Sequence, residues 1–377
     1  MRRLAAFCSM LVLCLAAPAL SASALAASAL SASALAASGK PRPDALLSAL
    51  WTPRELAGSE ADRVIGAVGE PDPGVPALAP GVTLPERPAA VPRAMQGAIR
   101  RVELPAAASG KEVGKGRKAI ALTFDLCERA NNVAGYENRV INLLRERNLR
   151  ATFFAGGKWM RSHPEKAMQL MADARFEMGN HAWTHGNLAL MTREEIASQM
   201  RLAEIQYANL RAELLRRAEA KGLGPLAAQR AGVLSVMRLP YGRSSELALD
   251  ALAASGYVVI QWDVDGEGDE ELHTPEELAA RALRLLKPGS IMLMHANAVP
   301  QKTFAILRIL LPELKKRGYE TVTVSELLRR GRPQTVREGY FTTPGDNLQY
   351  DAIFPGKGTL KPDPARPFAT EPVPPAQ

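Results

Sequence analysis

The sequence predicts an α/β protein built as a closed or nearly closed β/α barrel, and three observations predict it. Between about residues 117 and 330, strand-like apolar runs alternate with amphipathic helical segments, the pattern of parallel strands covered by helices. About seven such units fit into roughly 215 residues, which suits a barrel better than an open doubly wound sheet. No glycine-rich phosphate loop follows the first strand, and a dinucleotide-binding fold loses ground accordingly.

Taken in order, KAIALTFD ends at Asp125 as the first strand of that region, and Tyr136 to Asn148 follows as a helix with Val140, Leu143 and Leu144 on one face. ATFFAGG is the next strand, and Pro164 opens the next helix. FEMGNH precedes a long helix that starts at Thr192 with a capping-box pattern to Glu195. VMRLPYG leads to a helix ending near Gly256, then YVVIQWDVD to a helix capped by Thr274 and Glu277. GSIMLMH, a helix from Thr303 to Arg317, and YETVTV complete the series.

The flanks read differently. Residues 1–38 have the form of a secretory signal peptide, with a basic start, an apolar stretch from Leu4 to Ala17 too short for a secure membrane span, and the ten-residue repeat ALSASALAAS in tandem. Residues 39–116 are rich in Pro and Ala and read as an arm or linker with short helical patches such as Asp44 to Trp51. Residues 331–377 read as an irregular C-terminal extension. Removing the signal takes Cys8 and Cys14 away and leaves Cys127, so the exported chain forms no internal disulfide. The net charge of +8 is scattered rather than clustered, which fits a solvated basic surface and gives no nucleic-acid site. No stable membrane span is expected once the signal is gone.

Chemistry in a barrel belongs at the C-terminal ends of the strands. Asp125 ends one strand, His181 and His185 follow another, Arg238 and Tyr241 a third, Asp263 and Asp265 a fourth, and His295 a fifth. Each has an ordinary explanation when taken singly, as a helix cap or a surface histidine, but together they converge on one rim. His163 and His273 lie near helix starts and need no special role.

The ordered motifs TFD at 123–125, HAWTH at 181–185, RLPYG at 238–242, WDVD at 262–265 and LMH at 293–295 resemble those of the polysaccharide deacetylases, the NodB-homology group of carbohydrate esterase family four. The resemblance covers about residues 117–330, read as the catalytic domain. It implies a distorted (β/α)7-type barrel that removes acetyl groups from N-acetylated sugars with a divalent metal, zinc first, with cobalt or nickel as substitutes. Carried over, Asp125 is the general base, His181 and His185 are metal ligands, Arg238 holds Asp125, and His295 is the general acid. Tyr241 offers a backbone N–H to the oxyanion, Asp265 or Asp263 tunes His295, and Trp262 and Leu293 shape the acetyl pocket.

The pattern departs from the family at two positions. Leu126 stands where a second, metal-binding Asp is usual, and Ala182 where a hydroxyl residue is usual. If the chain stays extended past Asp125, residues 126 and 128 share a side, which makes Glu128 the candidate replacement ligand and Cys127 a small apolar filler. The expected function is a secreted or periplasmic deacetylase of a chitin-like oligomer, peptidoglycan or exopolysaccharide. Metal-independent amide hydrolysis on the same fold and non-catalytic glycan binding are the alternatives. The rim, including Glu213 to Val233, is expected to set the choice of glycan.

Overall fold

The computed structural model describes residues 44–64, 75–87, 90–105, 118–130 and 132–355. The expected signal peptide lies outside these residues.

The fold is a mixed α/β protein around one curled sheet, with strands β1 (Ala98–Glu103), β2 (Ala119–Leu126), β3 (Ala151–Ala155), β4 (Phe176–Asn180), β5 (Val236–Met237), β6 (Val258–Ile260), β7 (Val264–Asp265), β8 (Ile291–His295), β9 (Glu320–Val322) and β10 (Arg332–Val336). Their order is β10-β1-β6-β5-β4-β3-β2-β8-β7, with β9 also pairing β2. All of these pairs are parallel except β1 with β10. The sheet bends back on itself where Arg101 bridges to Ser290 and Val102 N–H donates to the Gly289 carbonyl at 2.9 Å. Gly289 sits at φ +86°, and a Cβ there would fall 1.7 Å from the Val102 oxygen, so the barrel closes only because this residue has no side chain. An irregular bridge in place of a regular ladder is what distorts the barrel.

Strand alternation sorts the residues of β2. Ile120, Leu122, Phe124 and Leu126 pack in the layer between sheet and helices, whereas Ala119 and Ala121 face a second cluster with Ile99, Trp262, Ile291 and Leu293 in the barrel interior. The small residues leave room inside, and Asp125 lies on that inner side.

The helices include α1 (Ala45–Leu50), α2 (Pro53–Ala57), α3 (Asn138–Glu146), α4 (Gly157–Ser162), α5 (Pro164–Ala172) and α6 (Arg193–Glu219). Next come α7 (Gly224–Arg230), α8 (Glu246–Ala254), α9 (Pro275–Leu285), α10 (Thr303–Lys316), α11 (Val324–Arg329) and α12 (Tyr350–Ile353). Thr192 and Thr274 cap α6 and α9 with reciprocal bonds to Glu195 and Glu277, as their spacing predicts. No helix among the described residues is long and apolar enough to cross a membrane.

Three boundaries read from the sequence are corrected. The stretch taken as a linker contributes β1, whose Ile99 and Val102 are buried in the barrel core, and α1, whose Leu46 and Leu47 are buried against the helices. The C-terminal extension contributes β10, which pairs with β1. Glu213 to Val233 is largely helix rather than rim loop, because α6 runs to Glu219 and α7 follows.

Candidate active site

The parallel register of β2 and β8 sets Asp125 directly opposite His295. Asp125 is buried, and its Oδ1 accepts from Nη1 of Arg238 at 2.9 Å. Arg238 follows β5 and is fully buried. Its Nε donates to the Ile260 carbonyl at 3.3 Å and its Nη2 to the Gln261 carbonyl at 3.2 Å, while the guanidinium lies 4.3 Å from the centre of the Phe154 ring. Burial pulls the guanidinium below its usual range, and the Asp125 charge opposes that pull. The cation therefore has its solvation replaced by fixed partners, and it holds one carboxylate oxygen in place.

His181 and His185 come from the loop after β4. His181 Nδ1 lies 2.9 Å from the Arg238 carbonyl, which can only accept, so the proton is on Nδ1 and the lone pair of Nε2 points away. That nitrogen is 3.3 Å from Cys127 Sγ and 3.7 Å from Asp125 Oδ2. The His185 ring packs edge-on to His181 at 4.8 Å and to Tyr241 at 4.4 Å. Burial pushes both imidazoles down; the Cys127 and Asp125 charges lift His181 above its usual value, and His185 stays below. Burial pushes the Cys127 thiol up, but His185 and His181 outweigh it and leave it well below its usual value.

His295 Nδ1 is 2.7 Å from Glu267 Oε2, and Glu267 Oε1 accepts from the His295 N–H at 3.2 Å and from the Thr303 hydroxyl. Burial lowers the imidazole's proton affinity, while Cys127 and Glu267 more than restore it, so His295 titrates well above its usual value. Burial likewise raises the Glu267 carboxyl, with His295 pulling it back.

Residues 112–220 match the family described as polysaccharide deacetylase. The peptidoglycan-N-acetylglucosamine deacetylase PgdA of Listeria monocytogenes is 27% identical over 269 residues, 71% of this chain and 51% of that protein. The chitooligosaccharide deacetylase of Sinorhizobium fredii is 27% identical over 217 residues, 55% of this chain and 90% of that protein. Over these residues the chain is similar to the polysaccharide deacetylases. It spans about half the length of the Listeria relative. Among solved structures, a CE4 family pseudoenzyme from Bacillus anthracis is 26% identical, with a TM-score of 0.43, covering 57% of this chain and 66% of that one.

The structure gathers Asp125, His181, His185, Arg238 and His295 at one end of the sheet, with Tyr241 beside His185. Trp262 and Leu293 are buried in one cluster of the barrel interior, and the Trp262 ring stacks on Phe341 at 5.5 Å. Glu128 is not with the histidines. Its carboxylate accepts from Lys158 Nζ at 2.6 Å, from the Ser162 hydroxyl at 2.5 Å and from Ala134 N–H at 3.1 Å, on the helix side of the sheet. Alternation is the reason. Leu126 and Glu128 share the face that packs on α4, whereas Asp125 and Cys127 share the face that looks into the site. Cys127 is accordingly no filler.

The partner of His295 is also corrected. Asp265 Oδ1 accepts from the Glu267 and Gly268 backbone N–H groups, both at 2.9 Å, and so shapes the turn that carries Glu267. Asp263 accepts from Ser290 Oγ and Ile291 N–H, both at 2.9 Å. Glu267, two residues past the aspartate in VDGEG, is the residue that sequence reasoning missed. An acid just after a strand-end Asp-Gly turn was the available signal.

The donor set fits a metal ion. Cys127, His181 and His185 each offer a ligand atom, all within 4.8 Å of one another. His185 Nδ1 is buried without a hydrogen-bond partner among the described residues, a state that costs free energy unless something else satisfies it.

Proposed function

We propose that this chain is a secreted, metal-assisted hydrolase that removes acetyl groups from N-acetylated sugars of a polysaccharide. One observation carries the reading: a held carboxylate, Asp125, and a carboxylate-backed imidazole, His295, occupy facing register positions beside a pair of histidines. Amide hydrolysis requires that set of groups. Asp125 takes the proton of the attacking water, and Arg238 keeps the carboxylate aimed. His295, held at Nδ1 by Glu267, delivers a proton to the departing amine nitrogen as the carbon–nitrogen bond breaks, so that acetate and a free amine leave. His181 and His185 would hold the divalent ion, which supplies polarisation of the acetyl carbonyl and a more acidic water. The activities for which the relatives are named favour peptidoglycan or chitooligosaccharide as substrate. Residues 1–38 favour export.

Asp125→Asn tests the assignment. Acetate release from N-acetylglucosamine oligomers and from peptidoglycan is expected to fall by about 10²–10⁴-fold in a protein that still folds. A variant as active as the wild type would remove Asp125 from the mechanism.

A further inference from the structure

We infer that Cys127 is the third protein ligand of a metal ion held by His181 and His185, so that the chain carries a Cys/His/His site suited to a thiophilic divalent ion such as zinc. This deepens the proposed function and rests on its metal-assisted reading.

The distances support it. Tetrahedral zinc with bonds of about 2.3 Å to sulfur and about 2.0–2.1 Å to imidazole sets sulfur and nitrogen about 3.6 Å apart. Cys127 Sγ and His181 Nε2 stand 3.3 Å apart, and the whole ligand set lies within 4.8 Å. The widest pair has to close by little more than ~1 Å to meet that geometry. His181 is already oriented by the Arg238 carbonyl, an outer hydrogen bond of the kind that aims metal-bound imidazoles. His185 offers a ring nitrogen to the same group, with its ring edge-on to His181.

Of the neighbouring groups, Glu128 is bound to Lys158 and Ser162. Asp125 gives Oδ1 to Arg238 and His295 is bound to Glu267, and the two form a second group of ligand atoms with Cys127. Cys127 is half-buried. A soft sulfur in place of a carboxylate oxygen shifts preference toward zinc and cobalt and away from magnesium or calcium.

The test strips the protein with a chelator, reloads it with cobalt(II) or zinc, and compares wild type with Cys127→Ser and Cys127→Asp. Wild type is expected to take up one ion per chain and to show thiolate-to-cobalt charge-transfer absorption in the near ultraviolet. Zinc is expected to slow alkylation of Cys127, read by peptide mass. Cys127→Ser is expected to lose more than the ~10–100-fold in affinity typical of an outer partner. Cys127→Asp is expected to retain metal without the absorption band. No metal uptake, cobalt bound without the band, or alkylation equally fast with and without zinc would each overturn the inference, even where a variant fails to fold. Acetate release on the same samples separates the two readings. A sulfur-bound ion without hydrolysis of any glycan leaves the ligand standing and removes the deacetylase, and hydrolysis without a sulfur-bound ion does the reverse.

Discussion

Replacing Arg238 with Leu tests whether the buried charge pair organises the site. The guanidinium and Asp125 are both buried, with Nη1 and Oδ1 2.9 Å apart. At an effective dielectric of about 20, such a pair attracts by roughly 6 kcal/mol, much of it offset by desolvation of both ions. Removing one partner leaves the other charged and unsolvated, which costs about 3–5 kcal/mol. Arg238→Leu also orphans the carbonyls of Ile260 and Gln261, whereas Asp125→Asn leaves those two bonds intact and should cost less. The assay is a double-mutant cycle of Arg238→Leu and Asp125→Asn by thermal and urea unfolding. Arg238→Leu should lower the midpoint temperature by roughly 10 °C, and the double variant should be more stable than the sum of the singles by about 2 kcal/mol or more. A loss under about 1 kcal/mol, or a coupling under about 0.5 kcal/mol, would show that the pair is screened or differently arranged and would refute the reasoning.

Glu128→Gln breaks a buried pair with Lys158 and is expected to cost roughly 3 kcal/mol in denaturant unfolding, with zinc affinity unchanged. A variant that keeps its stability and loses metal would restore Glu128 as a ligand. Glu267→Gln withdraws the charge behind His295 and should lower kcat by about 10–100-fold with little change in KM; steady-state rates that show the loss in KM instead would contradict its role. Arg243 and Asn187 hold the Asp351 carboxyl below its usual value, with burial opposing them. The stability from that clasp is full above the ordinary carboxylate value of 3.8 and is lost as pH falls through the depressed one. Thermal midpoints of wild type and Asp351→Asn should therefore differ at neutral pH and converge in acid, and parallel curves would exclude the clasp.

Most of the sheet was legible because its strands are uninterrupted apolar runs bounded by capped helices. β1 and β10 were hidden for a physical reason. AIRRVE carries arginines at 100 and 101 and follows a proline-rich stretch, and it becomes a strand through pairing with β6 and β10, both distant in sequence. Arg100 is buried because its guanidinium finds the carbonyls of Tyr340 and Phe341, which no local pattern announces. The site residues Asp125, Arg238 and His295 were legible because each sits at or just after a strand end. The exchange of Cys127 for Glu128 arose from applying the two-residue period to the helix-facing side, where Leu126 packs, rather than to the side that Asp125 faces. Glu267 depends on a turn whose shape is set by hydrogen bonds to Asp265.

The histidine loop also shows what holds a site whose backbone is unfavourable on its own. Ala182 and His185 both adopt left-handed conformations, at φ 62° and 56°, and non-glycine residues there cost about 1–3 kcal/mol each. Gln199 of α6 offsets that cost. Its Oε1 accepts from the N–H groups of Trp183 and Thr184 at 2.9 and 3.1 Å, and its Nε2 donates to the Thr184 hydroxyl at 3.2 Å. Gln199→Leu orphans two buried N–H groups at about 1–3 kcal/mol each, which is enough for the loop to abandon the strained conformation. Zinc affinity should then fall by about 10–100-fold, as it does when an outer partner of a metal site is lost, although no hydrogen bond joins Gln199 to either histidine ring. Metal titration of the folded variant decides the matter. Undiminished zinc affinity would mean that the loop is held without Gln199, by contacts such as those of Ala182 and Trp183 with α4 and of Ala182 N–H with Asn180, and that its strain contributes nothing to placing the ligands.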